Sequence, residues 1–376
     1  MQADTADVST RRRRRRRFLI GLFCAAVISF AAVLAVSELT GNDEEHLPAD
    51  RRSWNSETPG ASAPGDSPST APVGSHVTEG ERLGIENCAV FPPDHAFHAD
   101  VSKLPVATGS QQTIASAGAD LMLLPGFSSL VWQGSRTGLP INIVDSTKVS
   151  SVDVLGGKYR EISDLNDHPI PESPRIEGFP GAAWDRHMLL VDTATCTSHE
   201  FFYVKRVPII GKWHAETAAK FDLNSNAIRK RGSTKAAGTS MLAGLIRYDE
   251  VQRGRIDHVM SFSLPKISTR PPVWPASGTD GRSDDPDAPP MGTWFRLRDD
   301  VDLSGLAPDA LVIAKALQTH GAIVDDTGPE YMGLGGENDE RWNDVEIETL
   351  KQLKLSDFEV VDPSSMMVTA DSYQIH

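Results

Sequence analysis

The residues able to do chemistry are densest between Trp184 and Arg206, in W-D-R-H-M-L-L-V-D-T-A-T-C-T-S-H-E-F-F-Y-V-K-R. Asp185, His187, Asp192, Cys196, His199 and Glu200 sit at the ends of two apolar runs, Met188–Val191 and Phe201–Val204. In an extended chain Asp185 and His187 point to the same face. A carboxylate beside an imidazole orients the ring, and the two can also share a metal. If the runs pair as strands, Glu200 approaches the acids of the first. Two carboxyls across a cleft are the minimal equipment for glycan hydrolysis, one as acid and one as base or nucleophile. The alternative is plain hydrogen bonding at strand ends, since buried polar groups need partners in any case.

A second group lies in R-Y-D-E-V-Q-R-G-R-I-D-H, Arg247 to His258. Adjacent acids point apart, so at most one of Asp249 and Glu250 faces a site. Arg247, Tyr248 and His258 suit binding of an acidic sugar or removal of a proton from carbon. A turn with ordinary surface charge is the alternative. The catalytic candidates are therefore Asp185, His187, Glu200, Asp249 and His258, with Arg186, Asp192, Arg247 and Tyr248 as substrate-binding candidates. In a non-catalytic carbohydrate-binding protein the platforms would be Trp184, Trp213, Tyr248, Trp274 and Trp294.

Metal signals are weaker. Asp325-Asp326-Thr327-Gly328 and the acids of Asp280–Asp287 could bind calcium outside a cell, yet neither has EF-hand spacing. No metal ligand is assigned, and no cofactor is expected unless those loops take calcium. His95 and His98, beside Asp94 and Asp100, have H-x-x-H spacing without the further ligands that zinc needs. G-x-S-x-G, H-E-x-x-H, P-loop and G-x-G-x-x-G motifs are missing, which removes most support for serine hydrolase, zincin and nucleotide chemistry.

The elements that must position these groups read as mainly β. The chain has 25 prolines and 30 glycines in 376 residues, a composition of many turns. Short β-like runs recur at Leu130–Gln133, Ile141–Val144, Val152–Leu155, Met188–Val191, Phe201–Val204, His258–Leu264 and Thr293–Leu297, with a closing strand in Asp357–Asp362. Helices are expected over Gln111–Leu124, Pro308–His320 and Asp344–Lys354. Pro308 suits the first turn of the second, and Gly321 its end. Phe221–Arg247 and Pro271–Pro290 read as long loops. The expected fold is a jelly-roll-like β-sandwich with a few helices.

Ahead of it, Arg11–Arg17 precedes Phe18–Val36, 19 residues without a charge. That length spans a bilayer, and the arginines keep the N-terminus in the cytoplasm. Residues 1–17 read as a cytoplasmic tail, 18–36 as a transmembrane signal-anchor in the lipid bilayer, 37–83 as a disordered Pro/Ser/Gly-rich stalk, and 84–376 as an extracytoplasmic domain. Cleavage near Val33-Leu34-Ala35, or twin-arginine export through Arg15-Arg16-Arg17-Phe18-Leu19, is the alternative. The net charge is −14 despite the arginine run, so the body of the chain is acidic and nucleic acid is excluded as its partner. Cys24 falls in the span. Cys88 and Cys196 fall outside, where disulfides persist, and are expected to bridge unless they are two buried thiols.

The runs Cys88–Val106, I-E-G (Ile176–Gly178), D-R-H-x-L-x-V-D-x-x-x-C (Asp185–Cys196), F-D-L-x-S-N (Phe221–Asn226), R-Y-D-E-V-x-x-G-x-I-x-H (Arg247–His258), P-P-M-G (Pro289–Gly292) and F-E-V-V-D (Phe358–Asp362) resemble a family of exported bacterial proteins without an established activity. The resemblance covers nearly all of the outer domain. Where the family reads A-D-N-G-S, this chain reads V-D-D-T-G, Val324 to Gly328. The functional expectation is action on an extracellular carbohydrate or cell-envelope polysaccharide, as a glycan hydrolase or lyase. The alternatives are a non-catalytic binding protein and a structural envelope protein.

Overall fold

The computed structural model describes residues 84–182 and 184–376. The expected tail, membrane anchor and stalk, and Cys24 with them, lie outside the described residues. Among the described residues, no helix is long and apolar enough to cross a membrane. The domain is mainly β with a few helices.

Among the described residues, fifteen strands form four sheets. The largest runs in the order β1 (Leu123–Pro125), β14 (Met332–Leu334), β11 (Met260–Leu264), β13 (Ala322–Thr327), β12 (Trp294–Leu297), β15 (Phe358–Val360). The second is β10 (Thr217–Asp222), β7 (Thr197–Phe202), β6 (Met188–Asp192), β4 (Ile141–Val144). A third joins β5 (Val154–Gly156), β9 (Lys212–Ala215) and β8 (Lys205–Val207), and β2 (Val131–Trp132) pairs with β3 (Ser135–Arg136). The pairs β1–β14, β11–β13, β4–β6 and β5–β9 are parallel. A jelly roll is antiparallel throughout, so the strand order departs from that expectation. Parallel neighbours need long crossovers, and the long connections of this chain provide them.

Period-two alternation builds the layers. Leu189 and Val191 of β6 face an apolar layer with Ile323 of β13 and Trp294 of β12, so the two large sheets share one core. Met188 and Leu190 point the other way, onto Phe201, Ala218, Val154 and Ala215. The opposite face of the six-stranded sheet, with Phe262, Val324 and Phe295, packs on Ala310, Ile313, Ala314 and Leu317 of a helix at Pro308–Thr319. That helix begins on Pro308 and is followed by Gly321 at φ +64, where a Cβ would meet the carbonyl oxygen of Phe295 at 2.4 Å. Leu311 of that helix is half-buried.

Two expected helices are shorter. Ser110–Ala117 is helical, but Gly118 ends it at φ +113, and Leu123 already belongs to β1. Asp344–Ile347 forms one turn and then tightens into a 3-10 helix over Glu348–Gln352. Val345 points outward, 82% exposed: two residues from buried Ile347 on a helix, it lies about 160° round the axis and faces away from the core. Near the start of the domain, Cys88 and Cys196 are joined by a disulfide across 108 residues.

Candidate active site

A cleft of about 530 Å³ is lined by residues at the ends of strands from the two large sheets. His187 and Asp185 enter it just ahead of β6, Phe202 and Thr217 from β7 and β10, and Asp326 and Thr327 from the end of β13. Tyr159 and Ile162 and two loops, Lys230–Ala236 and Ser277–Asp280, cover the rest.

His187 is held three ways by Glu177. Its Nδ1 lies 2.7 Å from Glu177 Oε2, its backbone N–H donates to the same oxygen at 3.2 Å, and its carbonyl accepts from the Glu177 N–H at 2.9 Å. The ring therefore turns its other nitrogen, Nε2, away from Glu177. Burial works against a charged imidazole here, but the Glu177 carboxylate outweighs it and raises the His187 pKa. The same pairing, against the upward push of burial, holds Glu177 below the usual carboxylate range.

Opposite stand two consecutive acids. Neighbours on a regular strand face opposite ways. Between β11 and β13 the register slips: Phe262 pairs with Val324, but Ser263 pairs with Asp326, leaving Asp325 as the extra residue of a bulge. The bulge brings both carboxylates to one amine, with Lys235 Nζ 3.3 Å from Asp325 and 3.6 Å from Asp326. Asp325 is fully buried and also accepts from Ser261 Oγ at 2.6 Å. Burial opposes the charge on Lys235, and Asp325 and Asp326 more than restore it, raising its pKa. For Asp326, burial and the neighbouring Asp325 and Asp280 outweigh Lys235 and lift the carboxyl to about 6. A carboxyl there holds a proton through a good part of the mildly acidic range and can give it up.

The loop that carries Lys235 is fastened from beneath by Glu200. This residue lies mid-strand in β7 opposite Leu189, on the face turned into the core shared by the two large sheets. It is 0% exposed. Its carboxylate accepts from Ser198 Oγ at 2.9 Å, Thr234 Oγ1 at 3.3 Å, the Met241 N–H at 2.8 Å and Ser240 Oγ. Burial raises its pKa, and those donors resist the rise. Substrate does not reach Glu200, which positions the loop. Gly238, at φ +79, completes the turn: a Cβ there would lie 2.2 Å from Ser277 Oγ.

Of the nine catalytic and binding residues read from sequence, Asp185 and His187 meet in this cleft. Arg186 donates to the Val204 carbonyl and stacks over Phe179. Asp192 closes the turn after β6, accepting from the Ser146 and Ala194 N–H groups and from Thr195 Oγ1. Arg247 and His258 line a separate hollow of about 480 Å³, both bound to Glu250. Burial would lift Glu250, but Arg247 and His258 hold it down at about 2. Asp249 is exposed and paired with Arg341, whose guanidinium lies over the Tyr248 ring.

Sequence reasoning missed Glu177 and Lys235. Glu177 sat in a quoted motif, I-E-G, but its contact is with a residue ten positions on. Asp325 and Asp326 were noted as a cation site; the cation that they hold is an ammonium. The acids of the second candidate calcium loop face different partners, Asp280 with Thr327 Oγ1, Asp284 with Thr269 Oγ1 and Asp285 with Lys266. Among the described residues, no group of three or more His, Cys, Asp or Glu could hold a metal ion. His95 is buried between Phe91 and Tyr373, and His98 Nε2 bonds the Val90 carbonyl.

No protein family, curated protein or solved structure matches the chain.

Proposed function

We propose that this protein is a membrane-anchored, extracytoplasmic enzyme that cleaves a glycan, such as a cell-envelope polysaccharide, by hydrolysis in the cleft between the sheets. Asp326 gives its proton to the leaving glycosidic oxygen as the bond to the anomeric carbon breaks. Asp185, exposed at the mouth, is the second carboxyl; it takes a proton from the attacking water or attacks the anomeric carbon itself. His187, charged through Glu177, and Lys235 offer hydrogen-bond donors to sugar hydroxyls and ring oxygens. The carrying observation is the pair of carboxyls in one cleft, one of them lifted to about 6.

The placement outside the cell rests on the charge-free run 18–36 behind its arginines, and the disulfide accords with an oxidising compartment. The bilayer is then the partner of residues 18–36. The sandwich reading of the fold belongs to the same proposal, supported by the apolar layer that the two large sheets share.

The test uses the full chain in detergent micelles against a panel of envelope and plant polysaccharides, with new reducing ends measured. Asp326→Asn is expected to lower the rate by about 10²–10⁴-fold, whereas Asp249→Asn, far from the cleft, leaves it intact. Products with an ultraviolet-absorbing unsaturated end would replace hydrolysis by elimination. Polymer retained without cleavage would make the protein a binding module, and neither outcome on any polymer would remove the reading.

A further inference from the structure

Beside the cleft an aromatic surface stands in solvent. Trp132, on β2, is 50% exposed and stacks on Trp184 with ring centroids 5.8 Å apart and planes 22° apart. The Trp184 indole N–H donates to Gln133 Oε1 at 3.0 Å, which fixes the ring and leaves the Gln133 amide NH₂ to donate outward. The β2–β3 turn is pressed against the segment that carries Trp184: a Cβ on Gly181 would lie 2.5 Å from the Gly134 carbonyl carbon. The pair is thus held by its backbone and by one hydrogen bond. Trp184 directly precedes Asp185, which lines the cleft, and Tyr159 lines the cleft as well.

We propose that Trp132 and Trp184 form a sugar-stacking platform that holds a polysaccharide chain running past Asp185 into the cleft. This rests on the functional reading above and adds that the substrate is a polymer, gripped outside the bond that breaks. A sugar ring has an apolar C–H face and a belt of hydroxyls. It needs a flat aromatic surface with donors and acceptors at its edge, and here Gln133 and Asp185 stand beside the indoles. The border carries both signs, Arg136 paired with Glu340 and Arg186 beside Asp185, so it offers an anionic headgroup no net attraction, and lipid is an outcome of the test.

The test is electrophoresis of the full chain in detergent through gels containing xylan, amylose or polygalacturonate, with cleavage of the retarding polymer followed in parallel. Wild type is expected to be retarded by at least one. Trp132→Ala and Trp184→Ala are expected to weaken retardation about tenfold and to raise KM for that polymer. Trp132→Phe, which keeps a ring, restores most of it and controls for misfolding. If wild type cleaves the polymer and Asp326→Asn does not, yet both tryptophan variants bind like wild type, the platform is wrong while the enzyme reading stands. If the polymer retards wild type through the tryptophans but Asp326→Asn changes no rate, the platform survives and the enzyme reading fails. A Trp132-dependent fluorescence signal quenched by brominated phosphatidylcholine in reconstituted vesicles, with no polymer retarding the protein, assigns the surface to lipid and overturns the proposal.

Discussion

His168 and His199 meet nitrogen to nitrogen in the interior, their Nδ1 atoms 3.0 Å apart. His168 Nε2 must carry a proton, because it faces the Asp164 carbonyl at 2.8 Å. Its Nδ1 is then bare and accepts from His199 Nδ1–H, so each ring is neutral. Burial holds His168 down at about 4, and burial with the neighbouring ring holds His199 at about 3.

This pair makes the fold acid-sensitive. Both folded-state values lie below the unfolded value of about 6.5, so the unfolded chain takes up protons first as the pH falls. The stabilisation is complete above about 6.5 and is lost as the pH drops towards 4, by roughly 2–3 kcal/mol per ring. Urea midpoints measured between pH 7 and 4 should fall over this window. In His199→Gln the slope should be shallower by about one proton; an unchanged slope would show that the pair does not titrate this way.

Lys235 and Asp325 should behave as one unit in stability. Lys235→Met leaves the Asp325 carboxylate buried without its ammonium, at a cost of about 3–5 kcal/mol. Asp325→Asn in the same chain removes the stranded charge and should recover much of the loss. Thermal unfolding of the two single variants and the double variant gives the coupling, and additive losses would show that the contact is not a functional pair.

Lys235 also sets the working range of Asp326, because its positive charge draws that carboxyl down from where burial would put it. A proton donor at about 6 gives a rate that declines as the pH rises through that value. In Lys235→Met, which removes only the downward pull, the decline should move to higher pH, and in Asp326→Asn it should vanish. The measurement is kcat/KM against pH on the polymer found to be cleaved.

Glu200 should report on the loop above it. Glu200→Gln keeps the shape but turns an amide NH₂ towards hydroxyl and N–H donors, leaving several unpaired in the interior. The expected cost is about 3 kcal/mol or more. Hydrogen exchange at Met241 should quicken well beyond that of the β6 amides. Equal protection in both variants would show that the carboxylate does not fasten the loop.

Much of the framework is legible locally. Leu189 and Leu190 announce a strand buried on both faces, and Pro308 and Gly321 mark the ends of their helix through the backbone geometry each favours. The site is less legible, because it is made by pairing across the chain. Nothing near Asp325 signals that β11 and β13 will slip by one residue, and without the slip Asp325 and Asp326 would point apart. Lys235 sits among turn residues and reaches its acids across 90 positions. Glu200 looked catalytic because strand pairing would bring it towards the acids of the first run; most of its donors come from a loop that begins more than thirty residues later. Val345 faces out for a local reason, since it stands two residues from Ile347 on one helical turn.

The crosslink between Cys88 and Cys196 also decides how the domain bears force. Tension applied through the chain ahead of residue 84 reaches Cys88 within four residues and crosses the disulfide to the turn that joins β6 to β7. With the C-terminus as the other point of pull, the residues between the two cysteines lie off the path of tension. Strand β6, the Glu177–His187 link and Asp185 all belong to that shielded stretch. Under mechanical load that wall of the cleft carries no tension itself and is disturbed only through its hydrogen bonds to β7 and to Tyr203 and Val204, which lie on the loaded path.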